Sequence, residues 1–163
     1  MRHRKSHQSQ AREKLLLAAM RAEDDAVEFL HKLDPAVAFA TACSVEQTLA
    51  IKWVAEQEEM RRRRDPRKVM CISRTRVREL DAALASLPHG VHPDPAAERH
   101  LLQIVKDLPP DRAWWVSHLV VRYQDAQFQS SKHRSPEGHC DQSIEASITI
   151  PEAVRSHYAE CTK

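Results

Sequence analysis

Glycine is nearly missing from this chain, at 2 of 163 residues. A glycine-rich phosphate cradle or dinucleotide-binding turn needs several, so neither is expected. Aromatic residues make up only 5%, and strands lean on aromatic and β-branched side chains. With Ala, Leu, Arg and Glu plentiful, helix is the expected element. Long apolar runs are scarce too. The one that follows the basic start MRHRKSHQSQAREK, Leu15 to Met20, is cut off by Arg21. That is too short for a secretory core or for the roughly 20 residues that cross a bilayer. A cytoplasmic protein with no membrane partner is expected. The four cysteines, Cys43, Cys71, Cys140 and Cys161, form no CxxC pair, which favours free thiols over a disulfide framework.

Catalytic motifs are absent as well. The chain has no GxSxG elbow, no HExxH helix and no Walker A loop, and each of these is what its chemistry requires. The adjacent carboxylates Asp24-Asp25 and Glu58-Glu59 diverge on a helix and do not form a dyad. The expectation is a non-enzymatic protein without a cofactor. His133, His139, Cys140, His157 and Cys161 are zinc-ligand types, and His157 and Cys161 share a helix face at i, i+4. Adjacent His139 and Cys140 are awkward as a ligand pair, and ten histidines generate such pairs by chance. No metal site is assigned.

What the chain does have is arginine in one place. Arg61, Arg62, Arg63, Arg64, Arg67, Lys68, Arg74, Arg76 and Arg78 fall within eighteen residues, opposed there only by Asp65. The net charge of +2 conceals a division: residues 1–80 hold 17 Lys+Arg against 12 Asp+Glu, and residues 81–163 hold 8 against 11. A basic first half suggests an anion-facing surface.

Periodicity orders the rest. Residues 1–10 form a basic tail with nothing apolar to bury. Leu16, Met20, Val27, Leu30 and Leu33 mark an amphipathic helix over 11–33. Asp34-Pro35 reads as a cap with proline behind it, starting a short helix to Ala42. Ser44 and Gln47 have capping-box spacing, so a further helix is expected from Ser44 into the arginines. Asp65-Pro66 ends it. Another helix spans 75–87, with Arg74, Arg76 and Arg78 at its positive end, where cations are disfavoured unless an anion is bound. PHGVHPDP, residues 88–95, is a candidate hinge between a helical basic half (11–87) and a helical/β C-terminal half (96–163).

Asp94-Pro95 caps a helix running to Leu108. Residues 113–123 (AWWVSHLVVRY) suit a helix, with a buried strand as the alternative, and Trp114 and Trp115 belong to the core. Residues 124–142 read as an exposed loop. Residues 143–150 (SIEASITI) alternate as a half-buried strand, possible partner for 114–123, before a last helix at 152–160. The fold class is therefore one mainly α domain of about six helices with a minor β element.

Leu15 to Gln57 resembles, in its leucine and alanine pattern, the smaller subunit of the flagellar master regulator. The likeness ends at Arg61 to Arg64, where that family continues into an apolar strand, so no function is carried over. A helix-turn-helix would pair the helices before and after Asp65-Pro66, across a gap longer than the usual 3–4-residue turn. With no zinc-finger, RNP or GXXG pattern, nothing specifies a base sequence. The composite expectation is a small regulatory or accessory protein binding nucleic-acid backbone, DNA or RNA, through Arg61 to Arg78. The competing one is an adaptor or inhibitor that docks an acidic partner, or pairs with a second copy or another chain.

Overall fold

The computed structural model describes residues 7–133. They form five helices: α1 His7–Leu30, α2 Pro35–Arg62, α3 Arg74–Ala85, α4 Pro95–Val105 and α5 Pro110–Lys132. No strand occurs among them. The strand expected at 143–150 and the helix at 152–160 lie outside the described residues.

Three expectations change. The two helices expected over 35–42 and 44–64 are one, α2. Ser44 begins nothing: its carbonyl accepts from the Thr48 hydroxyl at 3.1 Å in the middle of the helix. Asp34 is the true cap, its carboxylate accepting from Ala36 N at 2.9 Å and Val37 N at 3.4 Å. Between Pro35 and Arg62 there is neither glycine nor a second proline, and Ala38, Ala40, Ala42 and Ala50 carry the helix across the serine. The basic tail expected over residues 1–10 gives way to helix at His7, because α1 extends four residues beyond the range its apolar periodicity marked. Residues 113–123 are helix as expected, and the strand alternative falls. α5 also continues to Lys132 through part of the stretch 124–142 expected to be loop, because Gln124 and Phe128 are buried on its inner face.

α2 is the axis and packs chiefly on α5. Phe39 stacks on Phe128 with ring centroids 5.4 Å apart, and further along Glu46 meets His118, so the two helices run antiparallel. Around this pair Ala42, Val45 and Ala50 of α2 and Ala113, Val116 and Val120 of α5 build the core with Leu101 and Val105 of α4. α1 covers α5 and α4 with Ala19, Ala22, Ala26 and Leu30, and Phe29 lies against the His100 ring at 4.3 Å. The 88–95 segment is fastened to α2: buried Thr41 accepts from Asp94 N at 3.0 Å while donating to Val37 O at 2.7 Å. Elements on both sides of that segment therefore share one core.

Candidate nucleic-acid interface

The end of α2 is set by its hydrogen bonds. Asp65 N donates to Met60 O at 3.0 Å and Arg64 N to Arg61 O at 3.1 Å, the double closure that turns a chain out of a helix with one residue in the left-handed region. That residue is Arg64, at φ 53°. Glycine is the usual occupant because it has no Cβ to clash; here an arginine takes the position.

From Asp65 the chain forms an extended arm, residues 65–73, that returns along α2. The Gln57 amide grips it at one residue through both of its polar atoms: Nε2 donates to Ile72 O at 3.2 Å, and Oε1 accepts from Ile72 N at 3.0 Å. Trp53 Nε1 donates to Met70 O at 2.8 Å, and Met70 N reaches Asp111 of α5 at 3.4 Å. Buried Ile72 and half-buried Val69 and Met70 face inward, while Arg67 and Lys68 stay exposed.

The nine cations divide into three groups. Arg76 is inside. Its side chain is 23% exposed and its guanidinium grips the fully buried Glu46, Nε to Oε1 at 2.7 Å and Nη2 to Oε2 at 2.6 Å, with Glu79 at 3.2 Å. Arg62, Arg63, Arg67 and Arg74 are exposed but paired. Glu59 takes Arg63 at 2.7 Å and Arg62 at 3.7 Å, Asp65 takes Arg67 at 2.6 Å, and Glu58 takes Arg74. The Arg67 hydrogen bonds hold the Asp65 carboxyl below its ordinary range. Arg61, Arg64, Lys68 and Arg78 are exposed and form no ion pair among the described residues.

The charge anomaly at the start of α3 has an internal answer. That helix has no acidic residue in its first turn and no side-chain hydrogen bond at its cap, Ser73. Glu46 and Glu58 of α2 supply the anions instead, through Arg76 and Arg74. Glu46 also meets His118 Nδ1 at 3.0 Å, so one carboxylate ties α2, α3 and α5. Burial pushes this carboxyl up, but the Arg76 hydrogen bonds, then those and the charge of His118, outweigh it and hold it below its usual value. Burial pushes the neighbouring Cys43 thiol up to about 12, and Glu46 adds to the rise. Sequence reasoning missed Glu46 and His118. A lone glutamate within the apolar run Ala38 to Ala50 was the available signal.

A groove of about 260 Å³ lies between the arm and the start of α5, floored by Trp53, Met60 and Val69. Its charged lining is Glu56, Glu59 and Asp111 against Arg67 alone. Three carboxylates against one guanidinium make this groove unfavourable for phosphate. Among the described residues no group of three or more His, Cys, Asp or Glu stands ready for a metal, and no helix is long and apolar enough to cross a membrane. No protein-family model, curated protein or solved structure matches the chain.

Proposed function

We propose that this is a small, non-enzymatic regulatory or accessory protein that binds nucleic-acid backbone along the outer edge formed by the end of α2 and the arm. Arg61, Arg64, Lys68 and Arg78 make the primary phosphate contacts. Arg62, Arg63, Arg67 and Arg74 join by exchanging exposed carboxylates for phosphate. Arg76 takes no part, because releasing it would strand Glu46 in the core.

The observation that carries the reading is Arg64. A cationic side chain stands at the one described non-glycine position with positive φ, where glycine costs least, directly after three exposed arginines. Stability does not account for that choice; charge at the surface does. The bland account, cations compensating the α2 dipole, serves Arg61 and Arg62 and leaves Lys68 and Arg78 unexplained.

The test is binding of labelled duplex DNA, single-stranded DNA and RNA across a salt series, for the parent and for Arg61→Ala/Arg64→Ala/Lys68→Ala. The parent is expected to show log K falling with log[salt], and the variant a slope smaller by about 1 for each lost contact. Parent and variant that bind identically, or a parent that does not bind at low salt, would turn the surface over to an acidic protein partner.

A further inference from the structure

α1 is anchored by half of its length. Its buried residues, Ala19, Ala22, Ala26 and Leu30, lie on one face, and none precedes Ala19. The turns before it project past this contact while carrying Leu16, Leu17 and Met20, which are 38%, 48% and 44% exposed. At 100° per residue Leu16, Met20 and half-buried Val27 form a second apolar stripe beside the anchored face, with Leu17 at its edge. A few turns of helix without tertiary support are marginal in water. Among the described residues, none buries this stripe.

The charges on α1 are polarised against its own dipole. Arg12 and Lys14, with Glu13 between them, lie on the N-terminal side of the stripe, preceded in sequence by Arg2, Arg4 and Lys5, whereas Glu23, Asp24, Asp25 and Glu28, with Arg21, lie on the C-terminal side. Residues 7–18 therefore carry net +1 and residues 19–30 net −3. The first turn has no acidic residue and the last turn no basic one. An isolated helix favours the opposite arrangement. The crowding is felt: burial and then Asp24 push the Glu23 carboxyl above its ordinary value.

We propose that two copies of this chain associate through their α1 helices, packed antiparallel about a two-fold axis near Ala18. Leu16 then lies against the partner's Met20, with Leu17 of each copy close to the axis. Arg12 comes beside the partner's Asp24, and residues 7–18, net +1, cover the partner's residues 19–30, net −3, with Glu13 against the partner's Glu23 as the one like-charged contact in this register. A parallel pair would set like charges together. Self-complementarity about the axis is what a two-fold interface requires, and oppositely directed helix dipoles add to it. The Glu23 to Glu28 cluster forms no ion pair among the described residues, and the partner's Arg12 adds a cation beside Arg21.

The measurement is sedimentation equilibrium of the full chain up to about 100 μM, well above a micromolar Kd. The expected mass is twice that of the 18.7 kDa chain. Leu16→Glu with Met20→Glu is expected to give a monomer with unchanged helical circular dichroism. Arg12→Glu with Lys14→Glu weakens association by about tenfold or more, a loss of at least ~1.4 kcal/mol, and adding Asp24→Lys with Asp25→Lys restores it. A parent that stays monomeric overturns the proposal. So does a charge-reversed chain that associates as the parent does, or a monomeric parent that the Leu16/Met20 change destabilises, since part of the same chain would then be covering the stripe.

Discussion

Two arginines twelve residues apart, Arg64 and Arg76, have opposite relations to stability. Arg64 accepts a backbone conformation that costs an L-residue about 1–2 kcal/mol. Arg64→Gly is therefore expected to stabilise the protein by about 1 kcal/mol, raising the urea midpoint at constant m-value, while nucleic-acid affinity falls. Equal or lower stability in the glycine variant would mean that Arg64 makes a compensating contact, and the argument from its conformation would fail. Arg76 is the reverse case. Arg76→Met leaves Glu46 buried without its main counter-charge, and breaking such a pair costs about 3–5 kcal/mol. The linkage has a definite sign. Glu46 has a depressed native pKa, so its contribution is complete above the ordinary 4.5 and is lost as pH falls through the native value. Urea midpoints measured from pH 6 down to about 3 should fall steeply for the parent. In Arg76→Met the Glu46 part of that fall should be gone. Cysteine chemistry gives an independent check on the same core: Cys71 is exposed and Cys43 buried with its thiol near 12, so iodoacetamide should label Cys71 in the native protein and reach Cys43 only after unfolding.

At the scale of elements, the arm over residues 65–73 is the piece whose position the sequence could not supply. Asp65-Pro66 showed that α2 must end there, and Pro35 and Pro95 correctly opened helices, because proline and its preceding residue act through local sterics. Ser44 misled for the complementary reason: a capping-box spacing is only permissive, and nothing in Ala38 to Ala50 interrupts the helix. Val69 to Ile72 carries no period long enough to classify. Its course is fixed by Gln57, fifteen residues away in sequence and itself buried. Gln57→Ala should strip both backbone partners from Ile72, each worth about 1–3 kcal/mol when left unsatisfied. The expected signature is local: hydrogen exchange at Ile72 and Met70 accelerates far more than at α5 amides. Equal acceleration in both places would show that the arm unfolds only with the whole molecule.

For the molecule as a whole, the candidate interface was legible as composition and only partly as geometry. The nine cations stand where the charge count put them, yet pairing to Glu46, Glu58, Glu59 and Asp65 sorts them into core, reserve and available groups. Local spacing encodes part of that sorting, since Glu59 lies three and four residues before Arg62 and Arg63 and Asp65 two before Arg67. Glu46 and Glu58, however, reach Arg76 and Arg74 only by tertiary packing. The Pro-rich segment 88–95 posed the same question about halves. Composition changes across it, but Val45 and Trp53 on one side share a core with Leu101, Trp114 and Val120 on the other. Thr41 closes the segment onto α2. A core shared in this way should melt as a unit. Trp53 reports from the first half and Trp114 and Trp115 from the second, so Trp53→Phe and a Trp114→Phe/Trp115→Phe pair give separate probes. In urea, fluorescence of each variant should follow its own far-ultraviolet circular dichroism through one transition. If the Trp53 signal and the Trp114/Trp115 signal separate from circular dichroism in opposite directions, residues 88–95 divide two units that fold apart, and the basic half can be studied alone.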